Sequence, residues 1–460
     1  MKAIEATLIV GVIVAVGAFG GTEPLSFGLV EVGFFSLAIW LLLRPGAVEA
    51  TIPAPYFAVP AALLTLALIQ LCPLPSGSVS RVSGQIAYSG AQLSHLSIAP
   101  YNSRSEFLIL LTCFIAFFFS YIINQDRSRK QRLIYSLVVL GATEAFYGLA
   151  QYLMNVQSIF WYAKKYDLEE ATGTYINRNH FAGFLEMVLP FAVCLTIYEA
   201  EKLLSRRKHR HSSPVSKAAR RAQKLAGDDK AYAMILWLVL SVVMMAAIVF
   251  SRSRMGMLAA AFSILVVFAL KLLRRRRKAV PAALAGVFVA LSVGLAVWIG
   301  VQPALTRFES LGQEFSGDES RLSMWPGSLK LIAAHPIAGT GLGTFPVAYT
   351  QVQTTFLTKF VNHAHNDYLE VASDLGIPAA ILLFGSIVIV LSRALRNFLH
   401  GEGNYGPAVS LTCVGSLVAI LLHSFTDFNL HIPGNALLFA VILGLSLASN
   451  SQTTPGEAGS

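Results

Sequence analysis

Long apolar runs of about 20 residues, separated by short polar segments, recur along most of this chain. The hydrocarbon core of a bilayer, about 30 Å thick, takes roughly 20 apolar helical residues per crossing. Twelve stretches fit that length, near 3–20, 25–43, 55–73, 106–123, 133–153, 181–199, 232–251, 255–273, 280–300, 376–392, 407–424 and 435–449. Charge content agrees, since 13% of the 460 residues are charged, against about 25% in soluble domains. The expected fold is therefore an all-α polytopic membrane protein with about 12 transmembrane helices, forming one integral membrane domain over 1–460.

The opening MKAIEATLIVGVIVAVGAFGG has the basic, apolar and small-residue order of a signal peptide. Glu5 and the immediate onset of further spans favour an uncleaved first helix instead. Cys72, Cys113, Cys194 and Cys413 fall in or beside apolar runs without CxxC spacing. They read as small core residues, with no disulfide framework or zinc site.

Cytoplasmic loops retain Lys and Arg, which sets orientation. With the N-terminus inside, 24 of the 35 Lys and Arg fall on the cytoplasmic side, and both termini are expected there. The net charge of +10 is then mainly topogenic. Basic runs such as Arg274 to Lys278, and those of the cytoplasmic loop over 200–231, abut spans and touch anionic lipid rather than nucleic acid. Within that loop Lys217, Arg220, Arg221 and Lys224 share one helical side. Two readings stand, an amphipathic helix on the inner leaflet and a solvated charged linker.

The outer loops, about 74–105, 154–180 and 301–375, carry most of the unusual polar strings. In 301–375, ESRLSMWPGSLKLIAAHP reads as a short helix with Leu322, Trp325, Leu329 and Ile332 on one face, and Pro326 at a kink or in the first turn. In FSRSRMGM, Arg252 and Arg254 lie at the outer end of the seventh apolar stretch. They are either structural snorkelling residues or a guanidinium fork for an anion. In TGTYINRNHFAGFLEM, Arg178, Asn179 and His180 stand where a helix N-terminus favours anions; N-capping by Asn179 is the plainer reading.

VNHAHNDYLEVASD holds His363, His365, Asn366 and Asp367. In an extended segment His363, His365 and Asp367 share a face and have metal-ligand spacing. Once a helix has begun, Asp367, Glu370 and Asp374 line one side instead. Three readings compete: a metal site, polar residues at a helix start, and an imidazole base with a supporting acid. HPIAGTGLGTF, with Gly339, Gly341 and Gly343, reads as a tight turn, or as a turn whose N–H groups cradle phosphate. In HSFTDFNLHIPGN, buried hydrogen bonding suffices for His423, Asp427, Asn429 and His431. All five strings fall on the outer side, as a site for a membrane-tethered anionic substrate requires. A donor used there must carry its own activation, as a lipid diphosphate does.

GTYINRNHFAGFL, SRSRMGMLA, RLSMW followed by HPIAGTGLGTF, and HAHNDYLEVASDLGIPAAILL, in this order, resemble the O-antigen ligase/polymerase family. The resemblance covers about 170–450; the first 150 residues are recognisable only as spans. It implies a GT-C-like fold with a large helical periplasmic loop at 301–375, in the bacterial inner membrane. It also implies glycan transfer, without metal or cofactor, from a polyprenyl-diphosphate carrier to a sugar hydroxyl of a glycan or lipid A–core acceptor.

Arg254 matches the family's SRG arginine; Met255 stands where Gly is usual, which keeps Arg252 as the alternative. Arg321 matches the loop arginine before the tryptophan. His365 matches the histidine of the HN motif, with His363 as its rival. Catalysis would thus fall to His365, Arg254 and Arg321, and substrate binding to Arg252, His363, Asn366, Asn179, His180, Arg178 and Trp325. Ligase and polymerase fit these motifs equally. The competing class, a transporter or flippase of lipid-linked glycans, predicts broken segments near the midplane, for which Pro190 is the main candidate.

Overall fold

The computed structural model describes residues 1–44, 46, 53–73, 95–210, 217–274, 279–299, 321–353 and 360–448. The helices are α1 (Lys2–Gly17), α2 (Pro24–Leu42), α3 (Pro55–Leu71), α4 (Pro100–Ile123), α5 (Arg127–Leu153), α6 (Arg178–Arg210), α7 (Lys217–Phe250), α8 (Arg254–Arg274) and α9 (Ala279–Ile299). Three shorter ones follow, α10 (Trp325–Ala334), α11 (Phe345–Tyr349) and α12 (Asp367–Leu375), and then α13 (Ile377–His400), α14 (Tyr405–His423) and α15 (Pro433–Ala448).

Each of the twelve apolar stretches is a helix, but among the described residues nine are long and apolar enough to cross a membrane. The shortfall is one of length: α1 and α15 have 16 residues and α3 has 17. At 1.5 Å per residue they cover about 24–26 Å of a roughly 30 Å core. In the other direction, α6 and α7 run to 33 and 34 residues, and α6 passes through Pro190 unbroken. The basic stretch from Lys217 is thus the first part of α7, not a separate helix. The side chains of Lys217, Arg220, Arg221 and Lys224 lie outside the described residues, as do 211–216 and 275–278.

Helix starts follow side-chain chemistry. A Ser, Asp or Asn just ahead of a helix accepts from an otherwise orphaned N–H of the first turn. Asp126 Oδ1 accepts from Arg129 N at 2.8 Å to open α5. Ser253 Oγ accepts from Gly256 N at 3.3 Å to open α8. Asn366 Oδ1 accepts from Leu369 N at 3.1 Å to open α12.

The chain folds as two compact units. The first comprises Met1–Ile123, Arg307–Val390 and Leu421–Gly444. In it α3 packs on the end of α12 and the start of α13 through Leu63, Leu375 and Ala379, with Phe114 and Leu342 around them. A second cluster, Leu331, Phe345, Ala348, Tyr349, Val361 and Ala364, joins α10, α11 and the irregular segment that leads into α12. The α10 face differs from expectation: Pro326 does lie in the first turn, yet Ser328, Leu331 and Ile332 are buried and Leu329 is exposed. The helix starts at Trp325, after a 3₁₀ turn over Arg321–Met324, and this turns Leu331 inward in place of Leu329.

The second unit comprises Asn124–Thr306, Leu391–Ile420 and Leu445–Ser460. Its axis is α6, whose apolar window is wholly buried. Hydroxyl-to-backbone bonds tie neighbouring helices: Ser416 Oγ donates to Met187 O at 2.6 Å and Ser263 Oγ to Gly415 O at 2.7 Å. Such bonds within a membrane bundle contribute about 0.6 kcal/mol each. The segment before α6 forms a hairpin, β1 (Ser158–Ile159) with β2 (Tyr162–Ala163). Gln151 Nε2 holds that segment by donating to Ser158 O and Gly173 O, both at 3.0 Å. Cys113, Cys194 and Cys413 are buried as expected, whereas Cys72 is exposed.

Candidate functional site

In the first unit the glycine turn is a structural joint. Gly339 N donates to His335 O, Thr340 N to Ser373 O, Gly341 N to Asp374 O and Thr344 N to Gly341 O. Leu342 N donates to Gln70 Oε1 and Gly343 N to Asp374 Oδ2, at 3.0 and 2.7 Å. With every N–H from 339 to 344 committed inside the protein, the phosphate-cradle reading gives way to the tight turn. Gln70, fully buried, completes the joint by donating to Ala338 O at 2.7 Å and Asp374 O at 2.9 Å.

Two glycines make this approach possible. Gly339 and Gly376 have φ of 66° and 84°, and a Cβ on either would run into backbone, at Asp374 and Ile337 respectively. Gly339→Ala is expected to cost about 1–2 kcal/mol from the left-handed backbone alone, plus the clash. It should appear as a lower unfolding temperature of the detergent-solubilised protein.

The joint presents the N-terminus of α12, where the helix-start geometry wins over the extended one. Asn366 caps the helix, its Nδ2 donating to Phe425 O at 3.0 Å, and Asp367, Glu370 and Asp374 form a buried acidic face. The two histidines just ahead take different partners. His363 Nδ1 lies 2.7 Å from Glu370 Oε1, whose other oxygen accepts from Ala364 N at 2.8 Å. His365 Nδ1 lies 3.4 Å from Asp427 Oδ1, within ion-pair reach without forming a hydrogen bond. Asp427 is completely buried and also accepts from Phe428 N at 3.0 Å. One phenyl ring steadies both imidazoles: Phe428 stacks on His363 at 3.9 Å and meets His365 edge-on at 4.9 Å.

His431 closes the shell. Its Nδ1 is 2.8 Å from Asp367 Oδ1 and its Nε2 is 3.6 Å from Glu370 Oε1. Leu430 N donates to the other Asp367 oxygen at 3.3 Å. Burial works against a charge on His431, but the facing carboxylates Glu370 and Asp367 prevail and raise its pKa far above the usual imidazole range. Burial likewise pushes Glu370 up, and the charges of His431 and His363 outweigh it and hold the carboxyl well below the ordinary range. Burial pushes Asp374, beside Glu370, well above the ordinary range, and its Oδ2 accepts from Gly343 N at 2.7 Å.

His363, His365 and Asp367 therefore diverge to Glu370, Asp427 and His431. Among the described residues no group of three or more His, Cys, Asp or Glu is arranged to hold a metal. His365 has φ of 47°, one of six non-glycine residues with positive φ among those described. Such a backbone costs of order 1–3 kcal/mol and concentrates at functional sites.

The string from His423 to His431 is where the residue-level reading fell short, because Asp427 and His431 are the partners of the histidine motif. The available signal was polarity: four ionisable or amide side chains at a span end within an otherwise apolar stretch. Arg321 opens the 3₁₀ turn ahead of α10, and its side chain lies outside the described residues. Trp325, at the start of α10, has a buried Nε1 with no hydrogen-bond partner.

The remaining candidates belong to the second unit. Arg178 Nη1 lies 2.6 Å from Glu170 and 3.4 Å from Asp167. Arg252, whose φ is 53°, reaches Glu169 at 3.2 Å and Glu170 at 3.7 Å. Both guanidinium groups thus lean on Glu170. Asn177, not Asn179, caps α6, since its Oδ1 accepts from Asn179 N at 2.8 Å. Arg178 is already helical, so the cap falls one residue ahead of it. Arg178 N donates to Asp167 Oδ2 at 3.0 Å, so this N-terminus is met by the protein's own acceptors. Asn179 and His180 are buried in the first turn. Arg254, partly buried, is the first residue of α8.

Helices long and apolar enough to span a bilayer, with ionisable residues gathered at helix ends in both units, define a multi-pass membrane protein. Residues 239–384 match the family model described as O-antigen ligase. That match supports assigning the chain to the O-antigen ligase/polymerase family. It includes Arg252, Arg254, Arg321, His363, His365 and Asn366, and stops short of Asp427 and His431. A comparison with curated proteins gives no match.

Proposed function

We propose that this protein is a membrane glycosyltransferase. In this reading it moves a glycan from a polyprenyl-diphosphate carrier to a sugar hydroxyl on the periplasmic side of the bacterial inner membrane. The observation that carries the proposal is His365 backed at Nδ1 by buried Asp427, within the segment matching the O-antigen ligase model. A carboxylate behind Nδ1 favours the tautomer that leaves Nε2 with its lone pair, as a general base requires.

The acceptor hydroxyl gives its proton to His365 Nε2 as its oxygen bonds to the anomeric carbon. The glycosidic C–O bond to phosphate breaks and its electron pair leaves with the diphosphate. In-line attack inverts the anomeric centre. Arg254 and Arg321 meet the charge that builds on the leaving group, where preorganised donors act most strongly. Arg254 is preferred to Arg252 because it stands at the position of the arginine in the family's SRG motif. The arginines take the place a metal would otherwise fill. His363, Asn366, Trp325, Arg178, Asn179 and His180 contribute to binding, and the lipid tail keeps the donor in the bilayer plane. The Lys and Arg distribution supports an outward site with both termini inside.

The direct test reconstitutes the protein in vesicles with a lipid-diphosphate glycan and a saccharide acceptor, in EDTA. Transfer with inversion is expected at the rate seen without chelator; loss of activity restored by a divalent cation would overturn the arginine assignment. In cells, deletion followed by gel analysis of surface glycans separates the two acceptors. Unattached long polymer indicates a ligase, and core capped by a single unit indicates a polymerase.

A further inference from the structure

His431 is not needed for direct proton transfer at His365, yet its two ring nitrogens face two buried carboxyl groups. It lies between Asp367 at 2.8 Å and Glu370 at 3.6 Å, with its ring 5.8 Å from that of His363. Glu370 is shared: the oxygen that faces His431 is also 2.7 Å from His363 Nδ1. An ionised carboxylate only accepts hydrogen bonds, so the Glu370 contact takes a proton on Nδ1 of His363, and in the neutral ring Nε2 then carries the lone pair. The chain of contact runs Asp367, His431, Glu370, His363.

We propose that His431 is a positioning residue: as the cation wedged between Asp367 and Glu370, it orients the Glu370 carboxylate, which in turn fixes the ring and tautomer of His363 for a sugar hydroxyl. The inference rests on the transfer reading above and adds to it a residue beyond the segment that matches the family model.

The groups around Glu370 set the expected behaviour. On α12 these are Asp367 and Asp374. The loop ahead of it supplies His363 and the Ala364 N–H, the segment after α14 supplies His431, and α4 supplies Glu106, which senses His431, His363 and Glu370 alike. Among the described residues, the other ionisable groups named here are acids, and burial disfavours the charge. With Glu370 held below its ordinary value, its contribution is present above that value and fades only as pH falls through the folded one. Without the His431 charge, burial and the neighbouring acids dominate, so Glu370 takes up a proton at a higher pH and releases His363.

The experiment is the pH profile of kcat/KM for His431→Gln, whose amide can still donate to Asp367. The acid limb is expected to move up by at least about one pH unit, a roughly tenfold loss below both midpoints, with near-wild-type transfer on the alkaline side. His431→Lys, which restores the cation, is expected to bring the limb back. Glu370→Gln should keep only the acid limb that protonation of His365 itself sets, and adding His431→Gln to it should cost little more and move that limb no further. A His431→Gln profile lowered equally at all pH, or losses that multiply in the double variant, would show a merely structural role and overturn the inference. A wild-type protein inactive with every lipid-diphosphate donor defeats the transfer reading itself; an active one with an unmoved limb defeats this inference alone.

Discussion

Replacing His365 with asparagine is expected to lower transfer by about 10²–10⁴-fold, the usual contribution of a general base, while leaving the protein in the membrane with its unfolding temperature little changed. Asparagine is the informative choice because residue 365 has φ of 47°. Asn tolerates that left-handed backbone better than most side chains, so loss of chemistry is separated from added strain. The prediction follows from geometry: Asp427 sits behind Nδ1 of His365, and a sugar hydroxyl cannot give up its proton unaided near neutral pH. His363→Gln should act differently, raising KM for the acceptor more than it lowers kcat, because Glu370 ties that ring into a binding role. Transfer abolished by His363→Gln and untouched by His365→Asn would exchange the two assignments.

Arg254→Lys is expected to cost about 10²-fold in kcat, comparable with losing one oxyanion donor. Lysine keeps the charge, but it loses the planar fork that meets two phosphate oxygens together. Arg252→Lys should be far milder, since an ammonium keeps the positive charge that Glu169 and Glu170 meet there. Rates measured with saturating lipid donor separate the two. If Arg254→Lys leaves kcat intact, that arginine only anchors the start of α8 at the bilayer surface, and the leaving group needs another partner.

The helices were legible because each apolar run is long and the caps are local. Asp126, Ser253 and Asn366 announce α5, α8 and α12 within a few residues. Helix ends were less so: the charged extensions of α6 and α7 carry no apolar signal, yet they continue the hydrogen-bond ladder of the span. Within the site, the choice between an extended and a helical Asp367 was settled by Asn366, a cap visible in the sequence. The partners of His363 and His365 were not equally visible. Glu370 is one helical turn from Asp367, but Asp427 and His431 come from a segment on the far side of α13 and α14. Only tertiary packing brings those carboxylates and imidazoles together. The glycines of HPIAGTGLGTF left two readings, tight turn and phosphate cradle, for a related reason. Their spacing suits an anion nest, and only the positions of Gln70 and Asp374 show that the N–H groups are spent internally.

That arrangement also bears on biogenesis. Asp367 and His431 are separated by 64 residues, and between them lie two helices that must be threaded into the bilayer first. Until the segment bearing Asp427 and His431 emerges from the ribosome and docks, Asp367 lacks the imidazole that faces it and His365 lacks Asp427. A nascent or prematurely terminated product would thus be catalytically silent, unable to consume the carrier lipid before insertion is finished.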